Sequence, residues 1–567
     1  MRRPLIWASL TAAMNTALAS AGDPLTIFYV DDDAPDGGDG QTWQAAFQDL
    51  QDALDAARCL DPVEIRVADG TYVPSGANGT ARDRFLVDAL RGGCGIMLDP
   101  PDFGEAPEES PRFYADDASR SHPNLSHIVF SIRGAFAGLA RPDNPDLQDP
   151  TEFTSILSGD RNGDDLPSFR HRGDNCHRVL EIHSRLGDAT LLVEHLTVRG
   201  GSATRSANRS GAGIYISASS GIVSLNECLV TDNEADERGG GLLVTEAFWV
   251  QLYRSSFIGN QAQSGGAVYT DAFLQTHFGL FESNRAYVNG GAIAARYQTL
   301  TSNTIFADNV AGLGGAIQST EYGPFFGCLF VENSAGYASV AAFPWNSMTN
   351  CTIIQSGAST PAVVFEHGGG FINCVLVRAS TGPIAALGTE GAVLSVEASL
   401  IDNDDQAFDL NGGELVWIDA LVDQPRFLDP IGPDGDASTW QDNDYRPGPG
   451  SAMIDAGHSD RTGHCHQGET DLAGNLRILD AWNYDNSGVP CRNGDWVVDM
   501  GAFEAPADTP RLCIADWNAD ELIDINDILA FLNDFASSHI GANLNQDALW
   551  DFFDLQLFLN NFAAGCP

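Results

Sequence analysis

Apolar and polar positions in the middle of the chain recur at a fixed spacing. Between about residue 200 and residue 380, an aromatic or aliphatic residue stands three positions before an asparagine. It does so as Val230–Asn233, Phe257–Asn260, Phe281–Asn284, Phe306–Asn309 and Phe330–Asn333, and the asparagines step by 27, 24, 25 and 24 residues. A few residues later comes Gly-Gly and then a small or apolar residue: Gly240-Gly241, Gly265-Gly266-Ala267, Gly290-Gly291-Ala292 and Gly314-Gly315-Ala316. A fixed period of this size marks stacked supersecondary units. The stretches between turns are short and rich in Val, Ile, Phe and Thr, with no sustained 3.6-residue rhythm, so they predict strands and not helix pairs. Each period is then one coil of a parallel β-helix. Phe257, Phe281, Phe306 and Phe330 are expected to stack inside. The asparagines are expected at a turn, where Asn tolerates the left-handed conformation and its amide can bond to the coils above and below. Glycine permits the sharp bend that a Cβ would block.

A third column lies five residues before each asparagine: Cys228, Ser255, Gly279, Thr304 and Cys328, continued by Cys351 and Cys374. We favour buried thiols over disulfides here, since free cysteine packs as a small hydrophobe. The paired motif, F-x-x-N with G-G-A-[ILV], resembles the repeats of polymorphic outer membrane proteins, which are surface β-helix proteins of adhesion and export. Both open ends of such a solenoid need cover. Residues 41–58 offer a helical apolar stripe of Trp43, Phe47, Leu50, Leu54 and Ala57, followed by the strand Val63–Val67 and a turn to Tyr72. The opening from Tyr29-Val30-Asp31 through Gly40, with this helix, looks like the start of the right-handed parallel β-helix (pectate-lyase-like) superfamily. At the far end stand Pro449 to Gly457, Asp471-Leu472-Ala473-Gly474-Asn475 with Arg477, and Asp499 to Glu504. Together they resemble the terminal segment of secreted β-helix proteins of the choice-of-anchor Q type, which vary their attachment device. Cys465 and Cys491 in this segment are a disulfide candidate; His464 and His466 flank Cys465, which leaves a zinc site as the alternative. Residues 80–175 read as an irregular insertion with poorly repeating early coils. In it, Asp160-Arg161-Asn162-Gly163-Asp164-Asp165 is either a calcium turn or a solvated loop.

The C-terminus carries a different pattern. Asp516, Asn518, Asp520, Leu522, Asp524 and Asp527 occupy positions 1, 3, 5, 7, 9 and 12 of an EF-hand-type loop. Asn543, Asn545, Asp547, Leu549, Asp551 and Asp554 repeat them 27 residues later. Calcium takes six to eight oxygens, and position 7 gives a backbone carbonyl, so leucine is acceptable there. Each loop runs into an amphipathic segment, and the chain before Asp516 is too short for an entering helix. This duplicated loop-then-helix unit resembles dockerin domains, particularly those ending in Gly-Cys, here Gly565-Cys566. The resemblance implies calcium as ligand and a cohesin-like protein or cell-surface component as partner. Position 6, usually glycine, is Glu521 and Ala548, and position 1 of the second loop is Asn543, so the second site is expected to be weaker. Cys513 and Cys566 bracket the module as a candidate clamp.

Charge narrows the function. Against 77 acidic residues stand 30 basic ones, for a formal net charge of −47. Nucleic acid is excluded as a partner, because phosphate binding needs clustered cations. Arg2, Arg3, an apolar run from Leu5 and small residues before Gly22 read as a signal peptide, and no stretch reads as a transmembrane segment. Eleven cysteines in an exported chain leave at least one unpaired. The expected layout is a signal peptide over 1–21, the β-helix over 22–504, a linker over 505–510 and the dockerin-like domain over 511–567. The fold is thus mainly β, a right-handed parallel β-helix with a small α-helical calcium-loop domain. Glu282, Arg285, Asp271, Arg296 and Asp308 are scattered candidates for catalysis but form no constellation, and no G-x-S-x-G is present. The leading expectation is a secreted or cell-surface protein that binds glycan or adheres. The alternative is a polysaccharide lyase or glycoside hydrolase, and a polysaccharide ligand is compatible with both.

Overall fold

The computed structural model describes residues 25–505 apart from 58–59, 61, 75–83, 91–127, 205–208, 246, 248, 345, 356–359, 379–381, 403–406, 437–438, 449, 463–469, 478–487 and 491–496; beyond these it describes 515, 517, 523–536, 544 and 551–565. The chain divides into two compact units. The first runs to Ser256 and includes Asn260–Ala262 and Val268–Leu274; the second takes Phe257–Gly259, Gln263–Ala267 and Gln275 onward.

Both units are built from coils whose strands pair in parallel with the next coil. In the first unit, Tyr72, Leu157, Val198 and Val230 stand in register and are buried, forming one interior column. A second ladder places Tyr29, Arg66, Arg133, Glu194, Asn226 and Tyr253 in register. In the second unit, Phe306, Phe330, Ile353, Leu376 and Ile401 make the equivalent interior column. Phe257, Phe281, Phe306 and Phe330 stack at centroid spacings of 5.2, 5.1 and 5.1 Å with rings within 9° of parallel. That spacing is the distance between strands, so each coil stacks its ring on the next. Each buried ring is worth about 1.5–3 kcal/mol in transfer alone.

The asparagine ladder is present but its turn differs from expectation. Asn309 donates Nδ2 to Phe281 O (2.9 Å) and to Asn333 Oδ1 (2.9 Å), and its Oδ1 accepts from Asn284 N (3.1 Å) and Nδ2 (3.0 Å). The left-handed residue is the one before: Asp232, Gly259, Ser283, Asp308 and Glu332 have φ of 53 to 65°. The asparagine is thereby turned inward, buried, with its amide replacing a lost ladder bond. In the glycine motif the left-handed position is Gly239, Gly265, Gly290 and Gly314. The first pair is therefore Gly239-Gly240, one residue earlier than the spacing suggested. The second glycine is needed for contact: a Cβ on Gly291 would lie 2.0 Å from Gly315 O. Cys228, Cys328, Cys351 and Cys374 are buried free thiols, and Cys176 is another. Cys328, Cys351 and Cys374 each turn Sγ to the carbonyl two residues earlier, at 3.4 Å.

The N-terminal stripe does not form one helix. It breaks into a 3-10 turn, Trp43–Ala45, and helix α1, Leu50–Ala56. Between them Phe47 pairs its backbone with Tyr29, which holds the chain extended there. Asp49 caps α1 through Gln51 N at 2.8 Å. Gln51 then bonds the backbone of Leu86, accepting from its N–H at 2.8 Å, so the edge of strand Phe85–Leu90 is covered by a side chain.

The described residues of 425–505 correct a further expectation. They do not stop at the far end of the solenoid but run back along its flank as a strap. Strands Phe427–Asp429 and Asp444–Pro447 pair antiparallel. Tyr445, Phe427, Trp440, Leu472 and Phe503 cover Ala307, Leu329 and Val331, while Met453, Ala456 and Met500 cover Val375 and Leu400. This explains runs such as Leu329-Phe330-Val331, which are apolar on both faces because both faces are buried. Among the described residues no helix is long and apolar enough to cross a membrane.

Candidate functional site

Two helices form the described part of the C-terminal module, α2 over Ile525–Ala536 and α3 over Phe552–Ala564. Their entrances are alike. Asp524 accepts from Asn526 N (2.7 Å), and Asp527 Oδ2 accepts from Asp524 N (2.8 Å). Twenty-seven residues later Asp551 accepts from Phe553 N (2.8 Å), and Asp554 Oδ2 accepts from Asp551 N (2.9 Å). At Asp551 this is a reciprocal capping box with aspartate in place of glutamate, and the Asp524 entrance makes the same pair of bonds. Asp527 and Asp554 are completely buried. Phe531 and Phe558 stack at 4.1 Å with planes 1° apart, and Trp517 stands edge-on to both. Of the calcium-ligand candidates, Asp524, Asp527, Asp551 and Asp554 are thus placed at helix entrances. Asp516, Asn518, Asp520, Leu522, Asn543, Asn545, Asp547 and Leu549 lie outside the described residues, as do Cys465, Cys491, Cys513 and Cys566, His464 and His466, residues 1–21, expected as a signal peptide, and most of the 505–510 segment expected as a linker. The four carboxylates fit a hard cation in donor type.

The strap closes on a buried polar knot that draws together the three segments singled out in the sequence. Arg477 Nη1 donates to Glu504 Oε1 (2.9 Å) and Nη2 to Gly501 O (2.9 Å). Asp499 accepts from Asp455 N (2.7 Å) and Ala505 N (2.6 Å), Glu504 Oε2 from Asp499 N (3.2 Å), and Asp471 from Asn475 N (2.7 Å) and Glu504 N (2.9 Å). Burial pushes the Asp499 carboxyl up to about 7 against these N–H donors, and burial likewise raises Glu504. Its donors are backbone N–H groups, the Arg477 guanidinium and the Asn475 amide (to Asp471 Oδ2, 3.2 Å), so the knot reads as a structural clamp. It fastens to the coils through Ala502 N to Thr352 Oγ1 (3.0 Å) and Gly501 N to Asn373 O (2.7 Å).

A charged cluster that the sequence reading missed lies in the first unit. Glu181 receives His183 Nε2 (2.7 Å), Arg84 Nε (2.8 Å) and Arg178 Nη1 (3.2 Å). Burial would raise its carboxyl, but the His183 bond and the two guanidinium charges outweigh it and hold it at about 2. Arg178 lies 3.8 Å over the ring of Tyr215, which is in register with Glu181 and whose hydroxyl accepts from Thr245 Oγ1 at 3.0 Å. The signal available was the alternation Leu180-Glu181-Ile182-His183, with the apolar members inside. It was obscured by its place at the end of an irregular stretch.

No family model and no curated protein matches the sequence. Among solved structures four chains match, including a crystal structure of pectate lyase Pel9A. That structure is 12% identical, with a TM-score of 0.40, over 87% of this chain and 98% of that chain. Likeness at this distance transfers no residue role.

The scattered catalytic candidates separate further. Glu282 and Asp308 lie near each other beside the strap, where Gln441 Nε2 donates to Glu282 Oε1 at 2.7 Å. Asp308 is half-buried; burial and then the Glu282 charge push its carboxyl up. Arg296 is exposed, and Arg285 is exposed with its guanidinium 5.9 Å from the Tyr287 ring centroid.

Proposed function

We propose that the chain is a secreted or cell-surface β-helix protein, adhesive or glycan-binding, attached to a cohesin-like protein or other surface component through a calcium-dependent, dockerin-like C-terminal module. The observation that carries this reading is the doubled helix entrance. The same aspartate pair recurs at a 27-residue step, each with its second member buried, beside a loop whose sequence supplies calcium's preferred oxygens. The exposed apolar residues repeat at the same step: Ile525 with Phe552 and Leu532 with Leu559, so the module presents one apolar face twice. Such residues suit a protein interface. The test is release: chelating calcium should free the intact protein from its cells or matrix, and deleting residues 510–567 should do the same. Retention after both would assign attachment to the β-helix.

The second reading, a carbohydrate-active enzyme, draws on one observation. The Glu181–His183 pair places an imidazole, one-third exposed, against a carboxylate held by two arginines. A histidine oriented in this way can move a proton. Turnover of polygalacturonate or alginate that His183→Ala abolishes would favour this reading over adhesion.

A further inference from the structure

In the first unit, the turn at residue 160 gathers acids without an adjacent helix. Carboxylate oxygens of Asp160, Asp164 and Asp174 lie within 4.8 Å of one another. Asp160 collects the backbone N–H groups of Gly163 (2.8 Å), Asp164 (3.3 Å) and Asp165 (3.1 Å), which curls the turn around its carboxylate. Asp174 Oδ2 accepts from Asn162 N at 3.1 Å, closing the loop. These contacts shape the loop but do not by themselves ask for a ligand. The second observation is on its inner side. Asn175, which follows Asp174 and is only 8% exposed, turns its amide back onto the turn. Its Nδ2 donates to Asp165 Oδ2 (2.9 Å) and Gly200 O (2.6 Å). Its Oδ1, and Oδ1 of Asp165, are both buried and have no hydrogen-bond partner. A buried acceptor left without a donor forgoes the hydrogen bonds it would make to water. Two such acceptor oxygens in one hydrogen-bonded pair stand next to a triad of carboxylates.

We propose that this loop binds a calcium-like divalent cation through Asp160, Asp164 and Asp174, with the Asp165–Asn175 pair supplying further oxygens on the buried side. Oxygen-only donors and several carboxylates select a hard cation over zinc or copper. His171 Nδ1 lies 3.5 Å from Asp164 Oδ2 and Arg172 Nη2 lies 3.5 Å from Asp165 Oδ2, so both are displaced or reoriented as the ion enters. The site shares no residue with the C-terminal loops, and either can fail without the other.

The chain has no lysine, so trypsin cuts only after arginine, and Arg161 and Arg170 are exposed within this loop. On the full chain, calcium should slow cleavage after both by roughly tenfold relative to chelator, as expected for an ion that closes the loop. Equilibrium dialysis with calcium alone should find one ion fewer per chain in an Asp164→Asn, Asp174→Asn double variant, whatever number the C-terminal module holds. The proposal is overturned if the parent chain's cleavage at Arg161 and Arg170 is the same with calcium and with chelator. It is equally overturned if a folded double variant binds as many ions as the parent.

Discussion

The interior columns of the two units solve one problem differently. In the second unit a single side chain is repeated, ring upon ring, with an asparagine ladder beside it. In the first unit the corresponding column runs Tyr72, Leu157, Val198, Val230, and its long sheet carries charge on the outward face. There Arg133 pairs with Glu194 at 2.7 Å, and Arg66 with Glu64 at 2.6 Å and with Asp146 at 2.7 Å. Identical stacking makes every coil a good neighbour for the next, so stability is spread along the ladder. Mixed columns lack that interchangeability and lean on particular ion pairs and caps. The second unit should therefore fail by insertion of a wrong side chain, and the first by loss of a specific charge.

Phe306→Asp should give the largest effect. A carboxylate placed between the Phe281 and Phe330 rings has no partner, and an unpaired buried charge costs more than about 5 kcal/mol unless it protonates. The expected result is failure of secretion or rapid proteolysis; a folded, protease-resistant variant would break the stacked-ladder account. Next comes Arg477→Ala, which leaves Glu504 buried without its guanidinium, at roughly 3–5 kcal/mol. The loss should be local: trypsin should cut the strap after Arg426 and Arg461 while peptides of the Phe ladder stay protected. Uniform unfolding would show that strap and coils are one cooperative unit.

Glu181 sharpens the other side of the comparison. Its folded value is lowered from 4.5 to about 2. Its contribution, on the order of 3 kcal/mol, is complete above the unfolded value of about 4.3 and is lost as pH falls toward about 2. Urea midpoints of the parent and of Glu181→Gln should differ near neutrality and converge in acid; a gap independent of pH would mean that charge is not the cause. Asn309→Ala should cost about 2–3 kcal/mol by stranding groups on Asn284 and Asn333, while neighbouring Asp308→Ala, half-buried at a left-handed position, should cost about 1 kcal/mol. Equal costs in denaturant melts would contradict the ladder's register.

This contrast also explains what the sequence made legible. The Phe and Asn columns were readable because repetition reports the period, and the inward face follows from it. Which residue takes the left-handed turn was not readable: Asp232, Ser283, Asp308 and Glu332 share no side-chain type, and that position is set by the backbone of the coil. The strap's path was hidden because its contacts, such as Asn303 Nδ2 to Thr470 O at 3.0 Å, join residues 167 apart with no periodic signal. Glu181 and His183 were hidden for the same reason, since Arg84 reaches them from the neighbouring strand, far away in sequence. At the C-terminus, the spacing of acids pointed to a loop and helix, and Asp524, Asp527, Asp551 and Asp554 do stand at helix entrances.

The central claim is that calcium holds the C-terminal module and, through it, the protein's attachment. Hydrogen exchange of the full chain, read peptide by peptide with calcium and with chelator, tests it most directly. The account predicts that protection across Ile525–Ala536 and Phe552–Ala564 collapses when calcium is removed, while peptides spanning Phe281 to Asn333 do not change. Identical protection of the two helices in both conditions would contradict it.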